Sequence, residues 1–248
     1  MIRVLYEDKN IIVAEKPAGL ESQSARGFEP DMVSQIRTHI HKLSPKQSTV
    51  STKQSTAAPP YVGVIHRLDK PVRGVMVYAK NQKSAANLSA QIQAGKMRKI
   101  YAAVVCGKPV DNQGAYVDYL LKNGQSNTSR IVDNSVEGAK KSELFYRVLD
   151  TRKGGKLTPE NPDLELSLLD IELMTGRHHQ IRVQMAGHGT PLFGDNRYGN
   201  GGSSGGAGSR RPLALCAKQL TFAHPVTGEK MTFEIQPMGG AFGIFGAI

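Results

Sequence analysis

Cysteine is scarce in this chain of 248 residues: Cys106 and Cys216 are the only two, far apart and outside any CxxC pair. That spacing argues against a disulfide scaffold or a cysteine-rich zinc site, and it suits a reducing cytoplasm. Long apolar runs are missing as well. No stretch reaches the length of a membrane-spanning helix, and Glu7, Asp8 and Lys9 interrupt the N-terminal MIRVLYEDKNIIVAEKP where a signal peptide needs unbroken apolar residues. A soluble, unprocessed, cytoplasmic protein is the expectation. Acidic residues are also in short supply, 21 Asp and Glu against 32 Lys and Arg, for a formal net charge of +11 and a pI near 9.7. The cations recur along the whole chain, so the surface should attract polyanions, nucleic acid foremost, although charge does not separate RNA from DNA. No internal repeat is present, and 39% apolar residues suffice for a real core.

The pattern predicts an α+β fold, a mainly antiparallel β-sheet with short flanking helices. IIVAEKP reads as a buried strand that stops at Pro17 and Gly19, and GVMVYAK as another, entered through the loop HRLD at His66 to Asp69. In PDMVSQIRTHIHKL, Asp31 is placed to cap a helix whose apolar stripe is Met32, Val33, Ile36 and Ile40. KSAANLSAQIQAG reads as a short helix closed by Gly95, and KIYAAVVCG returns to strand. AKKSELFYRVLD and DLELSLLDIELM form a hairpin around the turn-rich TRKGGKLTPENP. HHQIRVQMAGHG makes a short helix with Ile181 and Met185 inward, and LALCAKQLTFAHPVTGEKMTFEI makes two strands around Pro225 to Gly228. The terminal GGAFGIFGAI has no assignment. One domain over residues 1–248 is expected, with exposed insertions at 44–60, which is polar and low in complexity, and at 200–211, which is rich in glycine and serine.

Three polar clusters border predicted strands: HRLD at 66–69, KIY at 99–101 and GRHHQIR at 176–182. An aspartate flanked by cations stays ionised, and an ionised carboxylate in a partly desolvated cleft can act as a nucleophile or abstract a proton. Taken alone, Asp69 beside Arg67 would be an ion pair or a turn cap. His178 and His179 do not make a metal site, because adjacent residues do not share a helix face and no carboxylate lies at a supporting spacing. A carboxylate-based hydrolase would need a second acid, which none of the three clusters supplies.

Five segments, VLYEDKNIIVAEKPAGL, HRLDKPVRGVMVYAK, KIYAAVVCG, TGRHHQIRVQMAGHGTPLFGDNRYG and LALCAKQLTFAHPVTGE, follow one another in this order. In them the chain resembles the RluA-type pseudouridine synthases over nearly its whole length, which implies that family's fold with an active-site cleft across the sheet. The resemblance implies isomerisation of uridine to pseudouridine in a structured RNA, ribosomal or transfer RNA, after the base is flipped from its stack, with no cofactor and no metal. It implies that Asp69 is the catalytic carboxylate, acting at the sugar or at the base, that Tyr101 stacks on the target base, and that Arg182 pairs with the catalytic aspartate. Leu215 matches an apolar position near the base. His66 and Arg67 are candidates to fill the vacated stack, and Lys70, Arg73, Arg177 and Arg197 to meet phosphates. RNA is the implied partner, with no membrane, and the chain is expected to be monomeric. A non-catalytic RNA-binding protein or RNA chaperone on the same fold is the rival reading, opposed by the intact HRLD, KIY and HQIR. The chain departs from the commonest family pattern in KPVR at 70–73, in Cys216 where a histidine is frequent, and in the two insertions. These departures bear on which RNA is chosen, because loops beside a pocket set that choice.

Overall fold

The computed structural model describes residues 2–24, 29–43, 58–199 and 211–246, so most of both expected insertions lies outside the described residues. The chain forms two compact units, Met1–Lys96 with Phe222–Met231 and Met97–Thr221 with Thr232–Ile248.

In the first unit, strands β1 (Arg3–Glu7) and β2 (Ile11–Lys16), helix α1 (Met32–Leu43), strands β3 (Gly63–Val64) and β4 (Arg73–Ala79) and helix α2 (Gln82–Gln93) follow in order. β2 pairs antiparallel with β1 on one side and with β4 on the other, Val13 opposite Val77, and β3 also pairs antiparallel with β4. Ile11 to Val13 and Val75 to Tyr78 are all buried, so these strands read as continuous apolar runs rather than as alternating ones. α1 begins as its sequence predicts: Asp31 Oδ1 accepts the Ser34 N–H at 2.7 Å, and Met32, Val33 and Ile36 are buried, with Ile40 only half-buried. α2 has a cap the sequence reading did not name, Asn81, whose Oδ1 accepts the Ser84 N–H at 2.9 Å. Gly95, at φ +66°, closes that helix as expected.

The second unit contains β5 (Arg98–Cys106), β6 (Gln113–Asn123), β7 (Thr128–Val132), β8 (Lys140–Lys153), β9 (Glu165–Leu173), helix α3 (Gln180–Gly187) and most of β10 (Leu215–Ala223) and β11 (Lys230–Glu234), of which residues 222–223 and 230–231 fall in the first. Its strands lie in the order β10-β5-β9-β8-β6-β7, with β11 beside β10, and the neighbours from β10 through β7 pair antiparallel. The β8–β9 hairpin and the closing pair β10–β11 are as predicted. The β6–β7 hairpin is not predicted: β6 alternates between exposed and half-buried positions, but apolar Ala115 and Val117 stand on the exposed ones, so its sequence lacks an apolar/polar alternation. The unassigned C-terminus forms a 3₁₀ turn at Gly240–Phe245 that buries Ala241, Phe242 and Phe245.

α3 departs from the simple amphipathic expectation. Ile181 and Met185 are buried, but so are Gln180, Arg182 and Gln184. Each polar side chain has partners that offset its desolvation. Gln180 Nε2 donates to the Glu143 carbonyl and to Gln184 Oε1, and Gln184 Nε2 donates to Asp118 Oδ2 at 2.7 Å and to the Tyr116 carbonyl. Among the described residues no helix is long and apolar enough to cross a membrane.

Candidate active site

Asp69 lies in the first unit, in the loop that enters β4, and both of its chain neighbours are held by their backbones. The buried Ser22 hydroxyl accepts the Leu68 N–H at 3.0 Å and donates to the Leu68 carbonyl at 2.9 Å. On the other side, the Lys70 carbonyl accepts the Gly19 N–H at 2.8 Å and the Lys16 ammonium at 3.1 Å. The Val72 N–H closes a turn onto the Asp69 carbonyl at 2.9 Å. The Asp69 backbone is therefore fixed from both sides, which is what a side chain that must present its carboxylate to a substrate requires.

Lys16 ends β2 with no exposed surface, and its ammonium also donates to the carbonyls of Pro17 and Leu20. Burial pushes this lysine down to about 8, against the opposing pull of the Asp69 and Glu21 charges. Asp69 thus has a buried cation within electrostatic reach. Neither Ser22 nor Lys16 stood out in the sequence. A serine in ESQS and a lysine in AEKP look like solvated residues, and only the proline and glycine that follow Lys16 hint at a shaped loop.

The other candidates of the first unit have diverse settings. His66 Nε2 lies 3.3 Å from the Val77 backbone nitrogen, and Arg67 is exposed. Lys70 Nζ reaches Glu29 Oε2 at 3.1 Å and Glu21 Oε1 at 3.7 Å, and Arg73 Nε reaches Glu15 Oε1 at 2.5 Å. Lys70 and Arg73 therefore already face carboxylates.

In the second unit, Tyr101 sits on β5 with 8% of its surface exposed, opposite Ile171 of β9. Leu215 of β10 is buried opposite Ala103. Directly opposed residues share a face, as do alternate residues of one strand, so Tyr101, Ala103 and Leu215 line the same face of this sheet. The structure thus brings the predicted stacking ring and the predicted apolar contact together.

Arg182 projects from α3 into a bidentate pair: its Nε donates to Asp195 Oδ2 at 2.8 Å and its Nη2 to Oδ1 at 2.7 Å. Asp195 Oδ1 also accepts the N–H groups of Arg197 and Tyr198 at 2.9 and 3.1 Å. Burial alone would raise this carboxyl, but the guanidinium and the two N–H groups outweigh it and hold Asp195 below the usual carboxylate range. The guanidinium carbon of Arg182 lies 5.2 Å from the centroid of the Tyr198 ring. Asp195 is a site residue that the sequence reading missed. Gly194 before it adopts φ +75°, and a Cβ there would collide with the Pro212 carbonyl, so glycine is required at 194 by backbone geometry.

The adjacent histidines are occupied in the same network. His179 has a left-handed backbone, φ 54°, and its Nδ1 shares a hydrogen bond with Tyr198 Oη at 2.7 Å. His178 Nδ1 pairs with the Ser129 hydroxyl at 2.9 Å, and Tyr198 Oη accepts the Ser129 N–H at 2.9 Å. β7 is thereby tied to the start of α3. Arg197 Nη1 donates to the carbonyls of Ser126 and Asn127, which fixes the hairpin tip, and Arg177 Nε donates to the Lys141 carbonyl at 2.8 Å. Both arginines remain exposed. Among the described residues no group of three or more His, Cys, Asp or Glu is placed to hold a metal ion.

A relative from Aquifex aeolicus, an uncharacterized RNA pseudouridine synthase, is 34% identical over 95% of this chain and 69% of its own length. The ribosomal large subunit pseudouridine synthase D of Pseudomonas aeruginosa is 31% identical over 94% of this chain and 67% of its own. The corresponding synthase C of Salmonella typhimurium is 33% identical over 96% and 67%. Among solved structures, human RNA pseudouridylate synthase domain containing 1 shares the fold with a TM-score of 0.71 at 19% identity, covering 95% of this chain and 83% of that one. The family model for RNA pseudouridylate synthase matches residues 10–187, a span that runs from β2 through α3. The chain belongs to the RNA pseudouridylate synthase family and is a pseudouridine synthase acting on RNA.

Proposed function

We propose that this enzyme converts uridine to pseudouridine in large-subunit ribosomal RNA, with Asp69 as the carboxylate that acts on the uridine. The observation that carries this reading is the clamp on Asp69: Ser22 on Leu68, and Lys16 with Gly19 on Lys70. A carboxylate held in place beside a buried cation is already positioned for attack or proton abstraction, so less of the barrier remains to be met by ordering it. The choice of RNA is supported by relatives whose names specify the large ribosomal subunit.

In the reaction the C1′–N1 bond breaks, the base turns, and C1′ rejoins at C5. N1 ends protonated, and the C5 proton leaves. No electrons are gained or lost overall, so the isomerisation needs no redox cofactor. Flipping the base costs a few kcal/mol. Tyr101 meets the base with its ring, against the apolar surface that Leu215 continues. Arg182, itself fixed by Asp195, offers a rigid positive charge to the substrate. His66 and Arg67 fill the vacated stack, while Arg177 and Arg197, both exposed, meet phosphates, as Lys70 and Arg73 do by exchanging their carboxylate partners.

Mapping pseudouridine in ribosomal RNA from cells with and without the gene tests the substrate. One or more large-subunit sites should lose pseudouridine, and the purified enzyme should restore it on a transcript. Loss confined to transfer RNA would refute the choice of RNA.

A further inference from the structure

Lys99 opens the KIY segment on β5, two residues before Tyr101, so the two side chains stand on one face of the sheet about 7 Å apart along the strand. Its surroundings on that face are apolar. Leu220 is its directly opposed residue on β10, and Ile171 opposes Tyr101. Every carboxylate on the nearby part of β9 is on the other face: Asp170 and Glu172 oppose Ala102 and Ile100, which alternate with Tyr101 and Lys99. Those acids are also taken. Glu172 receives Arg98 at 2.7 Å, and Asp170 receives Lys218 at 2.6 Å.

Among the described residues Lys99 therefore makes no hydrogen bond or ion pair, although it is only half-exposed. Burial is the cause that depresses its ammonium below the usual lysine range, with no carboxylate acting against it. Lys16 makes the contrast, because it gives its ammonium to three backbone carbonyls. A partly desolvated cation costs free energy unless an anion compensates it. The ammonium lies beside the exposed Gly176, the first residue of GRHHQIR, where a Cβ would stand 3.8 Å from Nζ.

We propose that Lys99 binds a backbone phosphate of the RNA, at or next to the nucleotide whose base Tyr101 receives. The inference rests on the reading of Tyr101 as the base-stacking residue. A lysine meets phosphate as a point charge and carries no sequence information, so its effect should be uniform across RNAs.

The test is the salt dependence of RNA binding, measured with transcribed large-subunit ribosomal RNA and with a short oligouridylate. For Lys99→Met the slope of log Kd against log salt should shrink by about 0.7 to 0.9, the loss of one phosphate contact, on both RNAs, while Lys99→Arg keeps the wild-type slope. In the wild-type chain, bound RNA should protect Lys99 from amine-acylating reagents, a measurement that does not depend on the variants folding. An unchanged slope with Lys99→Met, or acylation of Lys99 that RNA does not slow, overturns the proposal. So does a fall in kcat with the slope intact, which would place Lys99 on the base instead. A wild-type chain that binds these RNAs yet makes no pseudouridine in either would sink the function reading, a result separate from the slope.

Discussion

Arg182 and Asp195 form a buried bidentate ion pair, with side-chain exposures of 8% and 0%. The resemblance had pointed Arg182 at the catalytic aspartate. The structure adds that a second aspartate, in the same unit, fixes the plane of the guanidinium. Asp195→Asn leaves a buried guanidinium without its charge partner, a loss of about 3–5 kcal/mol in stability. The pH dependence has a definite sign. The Asp195 carboxyl is held low in the folded chain, so its contribution is fully present above its unfolded value of about 4 and is lost as pH falls through the lower folded value. Urea unfolding should show the wild type well ahead of Asp195→Asn at neutral pH, with the gap closing in acid. A constant gap would contradict the pairing.

Ser22 should matter to turnover although it lies outside the three polar clusters. Ser22→Ala removes both bonds to the Leu68 backbone, leaving a buried N–H and a carbonyl unsatisfied at a cost of about 1–3 kcal/mol. The freed loop no longer fixes Asp69, so kcat should fall about ten- to a hundredfold with KM much less changed. Steady-state kinetics on a folded variant decide it, and an unaltered kcat would show that the clamp is not needed.

Lys16 predicts an alkaline signature. Its folded value of about 8 lies below the ordinary 10.5, so between those values the unfolded chain holds a proton that the folded chain has released. Stability contributed by this group therefore rises with pH across that window, by up to about 3 kcal/mol. Carbon-13 labelling of lysine should reveal one side chain titrating near 8. Titration of every lysine near its ordinary value would refute this reading of its environment.

Much of the fold is legible because its strands are unambiguous. Ile11 to Val13, Val75 to Tyr78 and Ala102 to Val105 are buried runs of strand-forming residues, and stop signals bound them. The β6–β7 hairpin escapes such reading because apolar Ala115 and Val117 occupy the solvent-facing positions of β6, which erases the apolar/polar alternation from the sequence. The site divides the same way. Asp69, Tyr101 and Arg182 sit in motifs that can be read along the chain. Their supports, Ser22, Lys16, Asp195 and Tyr198, are ordinary polar residues whose importance depends on partners distant in sequence, such as Ser22 on Leu68 and Tyr198 on Ser129. Lys99 is a third kind of case. It lies inside a motif, but its lack of a partner among the described residues becomes visible only when strand register assigns the acids to the opposite face.

The most direct test of Asp69 is pseudouridine formation by Asp69→Asn on the transcript that the wild type modifies. Asparagine keeps the shape of the side chain and removes its charge, while the backbone clamp from Ser22, Gly19 and Lys16 is untouched. Pseudouridine formation should fall by at least about a thousandfold, with RNA affinity within about threefold of wild type because phosphate contacts supply most of the binding. Wild-type turnover in Asp69→Asn would contradict the assignment.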